Sequence, residues 1–432
     1  MSHIFDRQQL RIIAALSLPA VITNITTPLL ALTDVAIAGH LGDAVFIAAI
    51  AVGGTMFSTL FWLFGFLRMG SSGLTAQAVG ASDRNEAHAV LARSLLLAVV
   101  AGVAIIAVRE QLCDALMWML DVEGRTSQVA ACYFRRVIWC APATLGMFAL
   151  NGWFVGMQNS RTPMWVSLAV DVLNIGASLG MVFILDMGIE GLATGTLLAQ
   201  WAGFLLLLLL GVRRYGLVRV PLKNVMAGLS RFFRINTDIF LRTLCLVAVT
   251  LWFTRVGAEQ GTAMLAVNAL LMQMFTLYSY FMDGLGVAAE ALCGRHFGAG
   301  DAVMLRRAVR SLFGVGALLA LLFTLLYITC GDMLLALLSN DPGVVKLAGH
   351  YSGWAMAVPV AGFGAFMWDA VFIGLTRTRM MLLSMAVAMA VFFALCGLLV
   401  GPYGNHGLWL AFLIYLFTRG LVLTVAYRRR IR

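Results

Sequence analysis

Asn151-Gly-Trp-Phe-Val-Gly-Met-Gln-Asn-Ser-Arg161 and Asp369-Ala-Val-Phe-Ile-Gly-Leu-Thr-Arg-Thr-Arg379 are one pattern written twice. Phe154 falls on Phe372, Gly156 on Gly374 and Arg161 on Arg379. The same offset lays Gly80-Ala-Ser-Asp83 on Gly298-Ala-Gly-Asp301, and after a one-residue gap Arg93-Ser-Leu95 meets Arg310-Ser-Leu312. The spacing is close to half of the 432 residues, so the chain reads as two similar halves. Transporters are often built this way, with the substrate cavity between the repeats.

Composition sets the medium. Hydrophobic residues make up 61% of the chain and charged residues 12%, with a mean hydropathy of +0.92. A soluble domain carries roughly a quarter charged residues, so this is an integral membrane protein. The net charge of +10 would suit a nucleic-acid binder if the basic residues formed one patch. They instead punctuate long apolar runs, as inward-facing loops require. Seven cysteines lie in or beside apolar stretches without the paired short spacings of a zinc or redox centre, and read as small buried residues. The six histidines are equally dispersed. No Gly-x4-Gly-Lys-Ser/Thr loop occurs, so ATP is not the direct energy source, and nothing points to an enzyme or to a bound cofactor.

A bilayer is crossed by about 20 apolar residues. Runs of that kind occupy residues 12–38, 44–68, 88–108, 130–156, 163–185, 191–212, 235–256, 262–292, 306–330, 347–374, 380–401 and 407–427, here helices 1 to 12. The first run exceeds a signal-peptide core, contains Asp34 and lacks a cleavage site, so it is expected to remain as helix 1. Six helices per half return the chain to its starting side, which relates the halves by an axis along the membrane normal. The fold class is therefore an all-α polytopic membrane protein: a bundle over residues 1–212, a basic linker over 213–234 and a second bundle over 235–432. With the amino terminus inside, inner segments hold twenty of the thirty Lys and Arg residues, six of them in the linker, and outer segments only Arg109, Arg125, Arg255 and Lys346. Both termini are accordingly expected in the cytoplasm.

An ionised group at membrane depth is costly unless paired or hydrated, which makes each intramembrane carboxylate a functional candidate. Asp34 follows Pro19 and Pro28 in helix 1, where a proline-bent helix has room to change shape on protonation. In helix 5, Asp171, Asn174 and Ser178 are spaced i, i+3 and i+7 and share one face. Asn151 in helix 4 and Thr196 in helix 6 are polar groups that either belong to such a site or bond a neighbouring helix. Helix 8 contributes Asp283 and Glu290, the latter close to Arg295, and helix 10 contributes Asp369, which stands where the first half has Asn151. Methionines and aromatics are plentiful, among them Met56 and Phe61 in helix 2 and Met272, Tyr278 and Met282 in helix 8. Such side chains either pack helices or line a cavity that repacks around apolar cations.

The doubled halves, Leu32-Thr-Asp34-Val-Ala-Ile-Ala-Gly-His-Leu-Gly42, Asp283-Gly-Leu-Gly-Val-Ala-Ala-Glu-Ala-Leu292 and Phe372-Ile-Gly-Leu-Thr-Arg-Thr-Arg379 together resemble the MATE family of multidrug and toxin extrusion transporters, most closely its DinF-type branch. The resemblance covers nearly the whole chain. It implies two bundles in a V around a central cavity, a monomer in the bacterial inner membrane, and export of organic, often cationic compounds against inward proton or sodium flow. It also implies a polar network in the first bundle at Asp34, Asn151, Asn174 and Thr196. A cation crossing a low-dielectric layer needs a countercharge, and Asp283 and Asp369 in the second bundle, with the Met and aromatic neighbours on helix 8, are the candidates to hold the substrate directly. The family's second carboxylate, four residues after the helix 5 asparagine, is Ser178 here. The glutamate of sodium-coupled members in helix 7 has no counterpart, which favours H+ over Na+ as the coupling ion. A lipid-linked oligosaccharide flippase of the same superfamily is the alternative; it would use basic residues such as Arg135, Arg136 and Arg242 to hold a pyrophosphate.

Overall fold

The computed structural model describes residues 7–41, 43–216, 220–339 and 341–430. Gly42 at the end of the helix 1 motif, Arg219 in the linker and Arg432 lie outside the described residues. Among these residues the regular structure is helical throughout. Inside hydrocarbon the backbone must satisfy its own hydrogen bonds, and a helix does so within one segment. Ten spans run continuously: α1 (Arg7–Gly39), α2 (Ala44–Gly80), α3 (Arg84–Ala107), α4 (Gly124–Gly156), α5 (Arg161–Ile184), α6 (Gly188–Tyr215), α7 (Leu229–Glu259), α8 (Thr262–Gly298), α9 (Ala302–Leu338) and α10 (Pro342–Gly374). The last helix, Thr378–Arg430, has 53 residues, far more than one crossing needs. It breaks at Gly404 (φ 54°, ψ −130°), a conformation that L side chains avoid, two residues after Pro402. Two spans result, α11 (378–403) and α12 (405–430), and every apolar run in the sequence falls in a separate span.

The repeated sequence stretches turn out to be paired structural devices. Asp83 caps α3 by accepting from Glu86 N at 2.9 Å, and Asp301 caps α9 by accepting from Val303 N and Met304 N at 3.1 and 2.9 Å. The preceding Ser82 and Gly300 both have positive φ, 59° and 71°, which closes each tight turn. The turns after α4 and α10 match as well, with Gln158 at 62° and Thr376 at 50°. The repeated glycines let helices touch backbone to backbone. A Cβ on Gly156 would lie 2.8 Å from Ser72 O on α2, and one on Gly374 would lie 2.7 Å from Glu290 O on α8. Gly156→Ala or Gly374→Ala is therefore expected to cost about 1–3 kcal/mol by forcing helices apart, read as a lower Tm in detergent. Gly176→Ala, where nothing lies within 4 Å, should leave Tm unchanged or raise it slightly.

The chain divides into two compact units. One is Ile22–Asn236, holding the rest of α1, α2 to α6 and the linker. Within it α4 is the hub, packing on α2, α3 and α6, while α5 pairs with α6. The linker forms a short helix, Leu222–Ala227, that docks on α3 through buried Arg93. That guanidinium donates to Val225 O at 2.9 Å and Asn224 O at 2.6 Å, and pairs with Glu86 at 2.6 Å. Arg93→Ala should release the linker, with the measurable result of faster cleavage there by trypsin in inside-out vesicles. The second unit comprises Thr237–Arg432 and the described part of Met1–Val21. There α10 is the hub, packing on α8, α9 and the Thr378–Arg430 helix. The start of α1 joins this unit because Val21 sits on Gly284 and Gln9 accepts from the Ser311 hydroxyl at 2.8 Å.

Candidate functional site

In the first unit a buried polar string crosses from α5 to α4. Ser178 Oγ donates to Asn174 Oδ1 at 3.0 Å, one helical turn back on α5. Asn174 Nδ2 points at Thr196 Oγ1 on α6, 3.5 Å away, and the Tyr133 hydroxyl of α4 interacts with the same Thr196 side chain. These α5 and α6 backbones meet closely because residue 195 is glycine; a Cβ there would fall 2.8 Å from Ser178 N. Tyr133 in turn occupies space left by Gly53, whose added Cβ would be 2.6 Å from its ring. Ile37, Ile50, Val182 and Leu192 close an apolar collar around the tyrosine.

Asp34 stands at the end of this string, near enough to act electrostatically on Tyr133. Its Oδ1 is buried and has no hydrogen-bond partner, and among the described residues no Lys or Arg pairs with it. A carboxyl in such a place can exist neutral without disrupting any ion pair. Asp171 is separate: it lies beside Thr26 of α1, with Oδ2 buried and unpartnered. The i, i+3, i+7 stripe on α5 thus splits, Asn174 and Ser178 turning to the string and Asp171 to α1. Asn151 is half-buried on α4, and among the described residues no hydrogen bond joins it to the string. Tyr133 is the member that sequence reasoning missed, because a tyrosine in an apolar helix reads as a packing or interfacial residue. Its one available signal was the facing glycine on α2.

In the second unit Asp369 is buried between two arginines. Arg242 of α7 and Arg419 of α12 each donate to its Oδ2 at 2.5 Å. Arg419 also lies over the Tyr415 ring, 5.4 Å from its centroid. This corrects the expectation of Asp369 as a free countercharge for a cation, since two guanidiniums already hold it. Tyr278 and Met282 are fully buried, with the Tyr278 hydroxyl donating to Pro359 O at 3.0 Å. Met56 and Phe61 are likewise inside a packed cluster with Phe134 and Leu145, and only Met272 is half-buried. The apolar side chains expected to line a cavity are thus mostly helix-packing groups. Asp283 is exposed on α8 beside Tyr280, and Glu290 is buried near its end. A second polar cluster went unread in the sequence: Asn268 and Asn405 exchange hydrogen bonds at 2.8 and 2.9 Å, and Trp409 donates to Asn268 at 2.9 Å. It ties α8 to α12 just past the Gly404 break.

The remaining arginines of the flippase alternative are also engaged. Arg135 pairs with Glu110 at 2.8 Å and Arg136 with Glu190 at 3.0 Å, all four side chains between 39% and 50% exposed.

A duplicated twelve-span fold with a buried hydroxyl–amide–carboxyl string defines a membrane transporter, and the chain belongs to the MatE family, whose model matches residues 19–179 and again 238–399. The double match places one copy of the family's unit in each half. DNA damage-inducible protein F of Escherichia coli is 38% identical over 96% of this chain and 92% of its own length. The multidrug export protein MepA of Staphylococcus aureus is 22% identical over 77% of this chain and 74% of its own. Among solved structures, a MATE transporter in the bent conformation superimposes with TM-score 0.88 at 20% identity, covering all of this chain and 97% of its own. The Vibrio cholerae transporter VcmN in its bent form gives TM-score 0.88 at 18% identity, with 100% and 98% covered. At those identities the structures speak for the fold alone.

Proposed function

We propose that this protein is a secondary antiporter of the bacterial inner membrane, exporting amphipathic, often cationic organic compounds in exchange for protons by alternating access. The observation that carries the reading is Asp34: a carboxyl with a buried, unpartnered oxygen, no cationic partner among the described residues, and a hydroxyl–amide string beside it. A group so placed can change charge as a proton arrives and leaves, and coupling requires that the two protonation states favour different conformations. Tyr133, Thr196, Asn174 and Ser178 supply hydrogen-bonding partners that rearrange with it; Asp171 is a secondary proton site and Asn151 a neighbour that joins in another conformation. Protons are favoured over sodium because a bare Na+ wants several oxygen ligands, and the family's second helix 5 carboxylate is the neutral Ser178. The export named for the S. aureus relative fits this reading. The flippase reading has less support, since Arg135, Arg136 and Arg242 each pair with a carboxylate. Both termini are assigned to the cytoplasm and the protein to a monomer.

The test is ethidium efflux from vesicles under imposed gradients. An inward proton gradient should drive it; ethidium movement insensitive to both pH and sodium gradients would remove the antiporter reading.

A further inference from the structure

On the outer face of the first unit, two adjoining hollows share one tryptophan. The first, about 340 Å3, lies where α6 ends and α5 begins, and is lined by Thr162, Trp165, Leu210, Arg213 and Arg214. The second, about 580 Å3, continues from Trp165 along α5 past Val172, Leu173 and Gly176 and, apart from the Trp165 indole, is lined only by aliphatic residues and glycine. Trp165, Val172 and Leu173 are exposed, and a Cβ on Gly176 would meet nothing within 4 Å. Neither Arg213 nor Arg214 has a carboxylate within salt-bridge reach among the described residues; Arg214 only lies by Tyr215, 5.9 Å from its ring centroid.

The two hollows match the two parts of one molecule. From Trp165 to Ala177 the groove follows α5 for about 18 Å at 1.5 Å per residue. That is about the depth of one leaflet, half of a hydrocarbon core near 30 Å thick. At its end sit two guanidiniums with no carboxylate partner among the described residues, groups that recognise phosphate oxygens by planar, bidentate hydrogen bonding. Basic pockets between transmembrane helices on the cytoplasmic side are suited to anionic headgroups, and this end of α6 is the one assigned to the cytoplasm. The indole between them offers an amphipathic ring at the level where headgroup meets chain. We propose that Arg213, Arg214 and Thr162 bind the phosphate of an anionic phospholipid whose acyl chain lies in the α5 groove. The site is independent of the coupling string.

Native mass spectrometry of the full-length protein in detergent reads this directly, with phosphatidylglycerol and phosphatidylcholine of identical acyl chains as the probes. The wild type should retain phosphatidylglycerol about tenfold more than phosphatidylcholine, a difference of about 1.4 kcal/mol, and millimolar inorganic phosphate should not displace it. Arg213→Ala with Arg214→Ala should abolish the headgroup preference, whereas Arg213→Lys with Arg214→Lys should keep part of it. Gly176→Leu, which fills the groove from its open side, should lower retention of both lipids at an unchanged gel-filtration profile. As a control, Arg306→Ala with Arg307→Ala removes two exposed arginines elsewhere and should change nothing. Equal retention of the two lipids by the wild type, an unaltered preference in the double alanine variant, full displacement by phosphate, or an equal loss in the control would overturn the proposal.

Discussion

Asp34→Asn is expected to reduce gradient-driven efflux to the level of empty liposomes while the protein inserts and folds as the wild type. The amide keeps the side chain's size but cannot load and release a proton. Its cost to stability should stay within about 1 kcal/mol, as for substitutions that break no named interaction, because Oδ1 has no hydrogen bond to lose and, among the described residues, no ion pair is broken. Efflux assays in reconstituted vesicles, beside Tm of the same preparation, separate the two effects. Wild-type efflux by Asp34→Asn would reduce Asp34 to a structural residue. Asp171→Asn should impair transport less, because Asp171 contacts Thr26 and lies outside the string.

Asp369→Asn should do the reverse and strike stability first. Removing one partner of a buried ion pair leaves the other charge uncompensated, at a cost of about 3–5 kcal/mol. Here the loss strands two guanidiniums, each of which already has a buried Nε without a partner. A large fall in Tm is expected, in part reversed by adding Arg419→Met, since the two sites share one interaction. An unchanged Tm with weakened binding of monovalent cations would instead restore Asp369 as a direct substrate contact.

The contrast between these aspartates shows where sequence stops speaking. Both are single carboxylates in apolar runs, and composition gives them equal claims. What separates them is that Arg242 and Arg419, 127 and 50 residues away along the chain, reach the same oxygen. The depth of an intramembrane arginine and the face it presents depend on helix rotation, which apolar periodicity does not fix when the surroundings are apolar all round. For the same reason Tyr278 and Met282 could be read either as cavity wall or as core. Local spacing, by contrast, was legible. Asn174 and Ser178 are four apart on one helix and do bond each other, and the repeated glycines and Asp caps occupy equivalent turns in both halves. Even the break between α11 and α12 was visible in the residues 401–407, where Gly-Pro-Tyr-Gly interrupts the apolar run.

Proton exchange through Asp34 is tested most directly by following internal pH in proteoliposomes, in sodium-free buffer, as ethidium is added outside. Exchange requires that inward ethidium movement expel protons, so the lumen should become more alkaline for the wild type, and unchanged by adding sodium. Asp34→Asn liposomes should show no substrate-dependent change. A lumen whose pH does not respond to ethidium, a response that appears only with sodium, or an undiminished response in Asp34→Asn would contradict proton antiport through this carboxyl.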